Sequence, residues 1–409
     1  MLERITKQQQ QVVLLYGSTL IGIVLGVLSS IVNTRFIAPS DYGDVRYVQN
    51  IISFIASLLL FGYFLSGSRL LAVSNNETHS RRIRGAMVAI LCLCGLILVL
   101  ATFTCYFFHL NRPHLAFLFI VSLPFCCNTL LLNYINTTAQ GDNHIGRLAI
   151  SRCLPAFIYV PAAFLVYKLT GATPVKMILL QNGIPTILLT GIIISTKPSF
   201  RNLKPIFTDL NKENKEYGFQ LYIGSLAMCA SSYLAAIFLG LFNSDNTEVG
   251  FYTLALTVTT PLSLLPSIIG TTYFKRFATE DKIPDKVMKF TLIITVLSCI
   301  CFILLIKPLV LYLYTERYSK VGVYASWLAV GFCVHGIGDM MNRYLGSHGK
   351  GKEIRNASLA NGFLKIGGFS ILVYFFNTTG AIITQVLCSF LYSGMIYYYY
   401  QQFVKQAHT

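Results

Sequence analysis

Twelve long apolar stretches divide this chain, and a soluble core cannot accommodate them. They cover residues 12–31, 48–65, 87–108, 115–135, 150–169, 177–195, 217–241, 250–274, 290–313, 321–344, 357–376 and 381–400. Each is about 18–25 residues long, enough to cross a hydrocarbon core of ~30 Å as a helix. The pattern predicts an all-α polytopic membrane protein with about twelve transmembrane helices.

Hydrophobic residues make up 54% of the chain and charged residues 12%, which excludes an ordinary soluble domain. A net charge of +16 invites a nucleic-acid reading, but the placement of the charge argues against it. With the N-terminus in the cytoplasm, Arg81, Arg82 and Arg84, the run from Lys197 to Lys215, the group from Lys275 to Lys289, and Lys350, Lys352 and Arg355 all fall on the inner side. The outer side holds only scattered basic residues, among them Arg35, Arg46, Arg112, Lys168 and Lys176. This bias sets both termini inside. The excess charge is then a topology signal with a secondary attraction to anionic headgroups, and no nucleic acid is expected as a partner. The first stretch is too long for a signal-peptide core and is expected to stay as helix one. The 11 cysteines lie in or beside apolar stretches without zinc-ligand spacing, so they read as packing residues, with no metal expected.

Every gap is short, and the longest, 197–216, is polar and basic. It divides the chain into an N-terminal six-helix lobe (1–196), a cytoplasmic linker (197–216) and a C-terminal six-helix lobe (217–409). The halves share landmarks: Gly43 and Gly250, and Arg69 and Arg276, are each separated by 207 residues. Parallel repeats of this kind build transporters whose lobes rock around a central site. Ser18, Gly22, Gly26 and Ser30 place a small residue at every fourth position of helix one, either for tight packing within one lobe or for a moving interface. Pro155 and Pro161 are expected to interrupt helix five, and Pro261 and Pro266 helix eight. Tyr392 and Tyr397 to Tyr400 suggest an aromatic belt at the inner interface.

Lys365 lies about midway along helix eleven, where a cation costs at least ~2.5–3.5 kcal/mol on insertion scales. Ser358, Asn361 and Lys365 share one polar face. They read as a cationic cavity wall meeting an anionic substrate, or as a snorkelling or structurally bonded lysine. Asp339 is the one acid well inside an apolar stretch, and His335, Asp339 and Arg343 repeat at i, i+4 and i+8. That spacing fits a proton or cation relay, or an Asp339–Arg343 ion pair at the inner helix end. Arg35, Arg46, Arg152 and Lys168 are candidates for an electropositive cavity suited to pyrophosphate, each with an interfacial-anchor alternative. Asn128, Asn133, Gln181, Asn182, Gln220 and Gln385 suit contacts to sugar hydroxyls or bonds between helices. The run from Gly346 to Glu353 imitates a P-loop, but Glu353 replaces the magnesium-binding Ser/Thr and no strand precedes it. Without paired acids or a nucleophile–base arrangement, an ATP-driven pump or a membrane enzyme is disfavoured, and no cofactor is expected.

The stretch Asn33-Thr34-Arg35-Phe36-Ile37-Ala38-Pro39-Ser40-Asp41-Tyr42-Gly43 resembles the R-x-L-x-P-x-x-Y/F-G outer loop of Wzx-type polysaccharide flippases. Phe36-Ile37 departs slightly from the usual leucine placement. Residues 62–69 and Gln140-Gly141 are also similar to that family. The resemblance implies the fold of multidrug/oligosaccharidyl-lipid/polysaccharide exporters, the MATE-like fold, over essentially the whole chain. It further implies movement of an undecaprenyl-pyrophosphate-linked oligosaccharide between leaflets of a bacterial inner membrane. The expected driving force is an H+ or Na+ gradient, with Asp339 and His335 as the candidate groups read from their spacing, or else the membrane potential. Membrane lipids, a polysaccharide polymerase and a chain-length regulator are the implied partners. The competing expectations are a cation-coupled multidrug exporter, which should offer a buried acid in helices one to six, and a multispan polysaccharide polymerase, which should carry a large outer loop.

Overall fold

The computed structural model describes residues 7–74 and 76–407, and residues 1–6, 408 and 409 at the chain ends lie outside the described residues. The described chain is helical throughout, without a strand. In order come α1 (Lys7–Phe36), α2 (Pro39–Leu58), α3 (Tyr63–Val73), α4 (Glu77–Phe108), α5 (Pro113–Ser122), α6 (Asn128–Gly141), α7 (Ile145–Thr170) and α8 (Pro174–Ser195). Then follow α9 (Leu203–Glu213), α10 (Phe219–Phe242), α11 (Thr247–Thr259), α12 (Pro261–Thr272), the single turn α13 (Phe274–Phe277), α14 (Asp285–Tyr314), α15 (Ser319–Ser347) and α16 (Gly351–Ala407). Among the described residues nine helices are long and apolar enough to cross a bilayer, or ten if the bent pair α2–α3 counts as one span.

The chain groups into two compact units: residues up to Ile37 with Val48–Leu226, and Ala38–Tyr47 with Ala227 onward. In the first unit α1 packs along α7, and α6 packs against α3, α7 and α8. In the second, α15 is the hub and contacts α11, α12, α14 and α16. Two N-caps show how the sequence starts its spans. The Asn76 side chain accepts the Thr78 N–H at 2.9 Å to open α4, and Thr173 accepts the Lys176 N–H ahead of Pro174 in α8.

Several spans differ from the sequence expectation in ways that have local causes. The stretch 48–65 is not one helix: α2 and α3 meet at 59°. Phe61 and Gly62 both have positive φ there, and a Cβ on Gly62 would overlap the Gly218 backbone, so the bend is set by a close approach to a π-helical turn at Asn214–Gly218. Asn214 fastens the bend by donating from Nδ2 to the Phe61 carbonyl at 3.1 Å and accepting from Ser66 Oγ at 3.1 Å. The stretch 115–135 is likewise interrupted, by a 3₁₀ turn at Leu123–Phe125.

Pro155 and Pro161, in contrast, do not interrupt their helix. α7 runs unbroken through both, held along its length by α1. Helix eight does part at Thr260, where Pro261 opens α12, while Pro266 lies inside α12. The two last stretches form one assigned helix, α16, with a sharp kink at Asn377, whose φ is 49°. The linker 197–216 holds a helix, α9, which buries Ile206 and Leu210 at i and i+4 and leaves Lys204 and Lys212 exposed.

The small-residue stripe of α1 is mixed. Ser18 and Ser30 are buried, but a side chain on Gly22 or Gly26 would meet nothing within 4 Å, so tight packing within one unit does not explain the two glycines. The tyrosine belt is also partial. Tyr397 and Tyr398 are exposed, whereas Tyr392 and Tyr400 are buried, and the Tyr400 hydroxyl accepts the Ile283 N–H.

Candidate functional site

The second unit brings four of the candidate residues together on α15 and α16. Helical periodicity puts His335 and Asp339 on one face of α15, with Nε2 4.0 Å from Oδ1. Across from them Tyr392 lays its ring against the imidazole, centroid to centroid 4.6 Å, and donates its hydroxyl to Asp339 Oδ1 at 3.1 Å. Asn342 completes the chain by donating to the Tyr392 oxygen at 2.6 Å. Asp339 is therefore bonded to Tyr392, with the His335 imidazole 4.0 Å away, and the alternative of an Asp339–Arg343 ion pair does not form among the described residues. Arg343 is exposed and makes no ion pair among the described residues.

Lys365 lies in the apolar first half of α16, half-buried, near enough to His335 and Cys388 to interact with both electrostatically. Among the described residues it makes no hydrogen bond and no ion pair. Asn361, one turn earlier, is 1% exposed, and its Oδ1 has no hydrogen-bond partner; His335 Nδ1 is buried and equally without one. Buried polar atoms are nearly always satisfied, so two orphans beside an unpaired cation mark a place built for something other than its own packing. The arrangement offers a cation and an unmet acceptor oxygen, with a hydrogen-bonded carboxylate–phenol pair and an imidazole beside them. Such a set can hold an anion and can move a proton.

The other cationic candidates each have their own local surroundings. Arg46 folds back on its own helix, donating Nε to the Tyr42 hydroxyl at 2.9 Å and lying 5.0 Å from that ring. Arg152 bridges α7 to α1 through Thr19 Oγ1 at 3.3 Å. Lys168 is exposed in the last turn of α7, 6.0 Å from the Phe164 ring, and Arg35 is exposed in the last turn of α1. Sixteen residues of helix separate Arg152 from Lys168, about 24 Å, so these two cannot grip one pyrophosphate. Lys168 and Arg35 have the placement of interfacial anchors.

Some interactions were not visible in sequence. Arg84 is not a free topology charge. It holds Asp142 through Nε and Nη2 at 3.1 and 3.0 Å, donates to the Thr196 carbonyl, and shares Asp142 with Arg147 at 3.2 Å. Asp142 is thus a buried acid at the end of α6, in the half of the chain expected to lack one, but it is already neutralised. Glu248 accepts from Tyr324 and Thr378, both at 2.7 Å, and from Lys320 at 3.0 Å, tying α11 and α15 to the kink of α16. The P-loop imitation is the turn from α15 into α16, with Gly349 at φ 72° and a helix where a strand would be needed.

Residues 9–278 match the family described as polysaccharide biosynthesis protein. No curated protein sequence matches the chain. Among solved structures it is similar to the lipid II flippase MurJ in an inward closed conformation, at 14% identity and TM-score 0.78, covering 97% of this chain and 90% of that one. It is also similar to an inward-facing multidrug resistance MATE family transporter of the MOP superfamily, at 16% identity and TM-score 0.69, with 94% and 95% covered. A MOP superfamily transporter from Pyrococcus furiosus, for which reversed polarity of the binding pocket suggests a different function, matches at 15% identity and TM-score 0.56 over 100% of both chains. At these identities the likeness establishes the fold: an all-α, multi-pass, MATE-like membrane protein.

Proposed function

This chain belongs to the polysaccharide biosynthesis protein family, and from that premise we propose that it is a flippase for undecaprenyl-pyrophosphate-linked oligosaccharide, an O-antigen or capsule repeat unit. The observation that carries the reading is Lys365, an unpaired cation in a membrane-spanning helix with the unsatisfied Asn361 amide one turn away. A pyrophosphate and a sugar chain cannot cross hydrocarbon unaided, because their polar groups would lose hydration. Lys365 replaces part of that hydration for the anionic headgroup, and the prenyl tail stays in lipid. The substrate enters from the cytoplasmic leaflet and leaves to the periplasmic one by alternating access in a bacterial inner membrane, with both chain termini in the cytoplasm.

His335, Asp339 and Tyr392 supply the coupling. A carboxylate between an imidazole and a phenol can take and release a proton as the substrate binds and leaves, so an ion gradient can drive the cycle. The same trio favours one second reading, a cation-coupled multidrug exporter of the same fold. A cationic drug, however, would have to bind beside Lys365, which has the wrong sign.

The test is made in cells lacking the gene, with and without a plasmid copy, by labelling isoprenoid-linked oligosaccharide and locating single completed repeat units. Cytoplasmic accumulation relieved by the plasmid supports the flippase. Unchanged glycolipid together with altered drug efflux contradicts it in favour of the exporter, and units that reach the periplasm without lengthening point to a polymerase.

A further inference from the structure

The first unit holds a belt of uncharged polar side chains at mid-span. α2 contributes Gln49 and Ser53, one turn apart; α6 contributes Asn128 and Thr129; α8 contributes Gln181, Asn182 and Thr186. They are joined across helices. Gln49 Nε2 donates to Gln181 Oε1 at 2.9 Å and to Asn182 Oδ1 at 3.3 Å. Asn128 donates from Nδ2 to the Asn182 carbonyl at 2.9 Å and accepts from Thr186 Oγ1 at 2.8 Å, and the Ser53 and Thr129 hydroxyls meet at 3.3 Å.

The accounting of donors is what sets this belt apart from a simple interhelical network. Gln181 and Asn182 use their side-chain oxygens to accept from Gln49, which turns both NH2 groups away from that bond. Neither NH2 group has a protein acceptor among the described residues, and both side chains are only half-buried. Unpaired amides facing hydrocarbon are strongly disfavoured. The depth rules out relief at the membrane surface: Asn128 sits midway through the Pro113–Gly141 span, next to the 3₁₀ break at Leu123–Phe125. Irregular backbone at that depth is tolerated where it is buried in protein or lines a wet cavity, and the half-exposure of the amides beside it fits the cavity. The belt carries no charge, so it suits neither a pyrophosphate nor a coupling cation. Planar NH2 donors pair with neutral oxygens, such as sugar hydroxyls and acetamido carbonyls.

We propose that Gln181 and Asn182 contact the saccharide directly, with Gln49 as their positioning residue, and that this belt selects which repeat unit the protein accepts. The inference rests on the flippase reading.

The test uses the full chain in proteoliposomes and compares two probes, undecaprenyl pyrophosphate bearing the complete repeat unit and undecaprenyl pyrophosphate bearing no sugar. The wild type is expected to move the glycosylated probe in preference. In Gln181→Leu/Asn182→Leu that preference should fall by about tenfold, the size expected when buried donors lose their partners, with transport of the bare probe retained. Gln49→Met keeps the side-chain volume and removes the donor that orients both amides, so it should lower the same preference even if the leucine variant folds poorly. A preference unchanged in both variants, or a wild type that moves the two probes equally well, overturns the inference and leaves the flippase reading standing. A wild type that moves neither probe removes that reading, and this inference with it.

Discussion

Gly43 and Gly250, the paired glycines of the two sequence halves, lie against each other: a Cβ on Gly250 would come within 3.3 Å of the Gly43 Cα and 2.9 Å of the Pro39 carbonyl oxygen. A Cβ on Gly43 would overlap the Asn246 carbonyl outright. Asp44 accepts from Asn246 Nδ2 at 2.7 Å, and Tyr42 is fully buried against Tyr318, so the run from Pro39 to Asp44 is a docking surface for the turn into α11. Gly43→Ala should cost about 1–3 kcal/mol, as overpacking against rigid backbone does, and Gly250→Ala less. Thermal melting of the purified variants in one detergent checks the order.

Lys365→Ala should lower transport by about tenfold or more at normal protein levels, the worth of a hydrogen bond to a charged group. Lys365→Arg keeps the charge and should retain more activity than alanine. Both are read by rescue of surface polysaccharide in cells lacking the gene, beside an immunoblot of membrane protein. A Lys365→Ala protein working at the wild-type rate would end its role in the cavity.

Arg84 and Asp142 are a buried pair, with side chains 7% and 5% exposed. Asp142→Ala leaves the guanidinium only Glu77 and the Thr196 carbonyl and should destabilise the protein by about 1–3 kcal/mol. Arg84→Lys cannot reproduce the two-pronged grip and should also lower stability, by a smaller amount. Melting temperature is the readout, and a change in transport without one would contradict a structural role.

Asp339→Asn keeps the shape of the side chain and the Tyr392 contact but removes the titrating group. Transport in that variant should lose its response to an imposed proton gradient while substrate binding persists. Tyr392→Phe should weaken the response without abolishing it, because His335 still faces the carboxylate. Initial rates in proteoliposomes with and without a pH step measure both.

Hydropathy made the spans legible because lipid imposes one requirement on every residue of a helix. It did not reveal the bend between α2 and α3, since Phe61 and Gly62 depart from helical φ without any loss of apolar character. α9 was hidden because its polar residues outnumber the two that are buried, Ile206 and Leu210. Lys365 and Asp339 stood out because charge inside an apolar run is costly wherever it points. Their partners did not: Tyr392 is distant in sequence from Asp339 and looked like a belt residue. Arg84 looked like one more inner-side cation, because a one-dimensional charge pattern cannot show that Asp142 meets it 58 residues later. Gln49 carried no signal of its own, and it acquires meaning only from Gln181 and Asn182 beside it.

The most direct test of the account is reconstitution of the purified chain into liposomes carrying radiolabelled undecaprenyl-pyrophosphate-linked oligosaccharide in the inner leaflet, with a glycosidase added outside. The account predicts that wild-type vesicles expose the sugar to digestion well beyond protein-free vesicles, and that Lys365→Ala vesicles stay near the protein-free level. Equal digestion with and without the wild-type protein, under an imposed ion gradient of either sign, would contradict it.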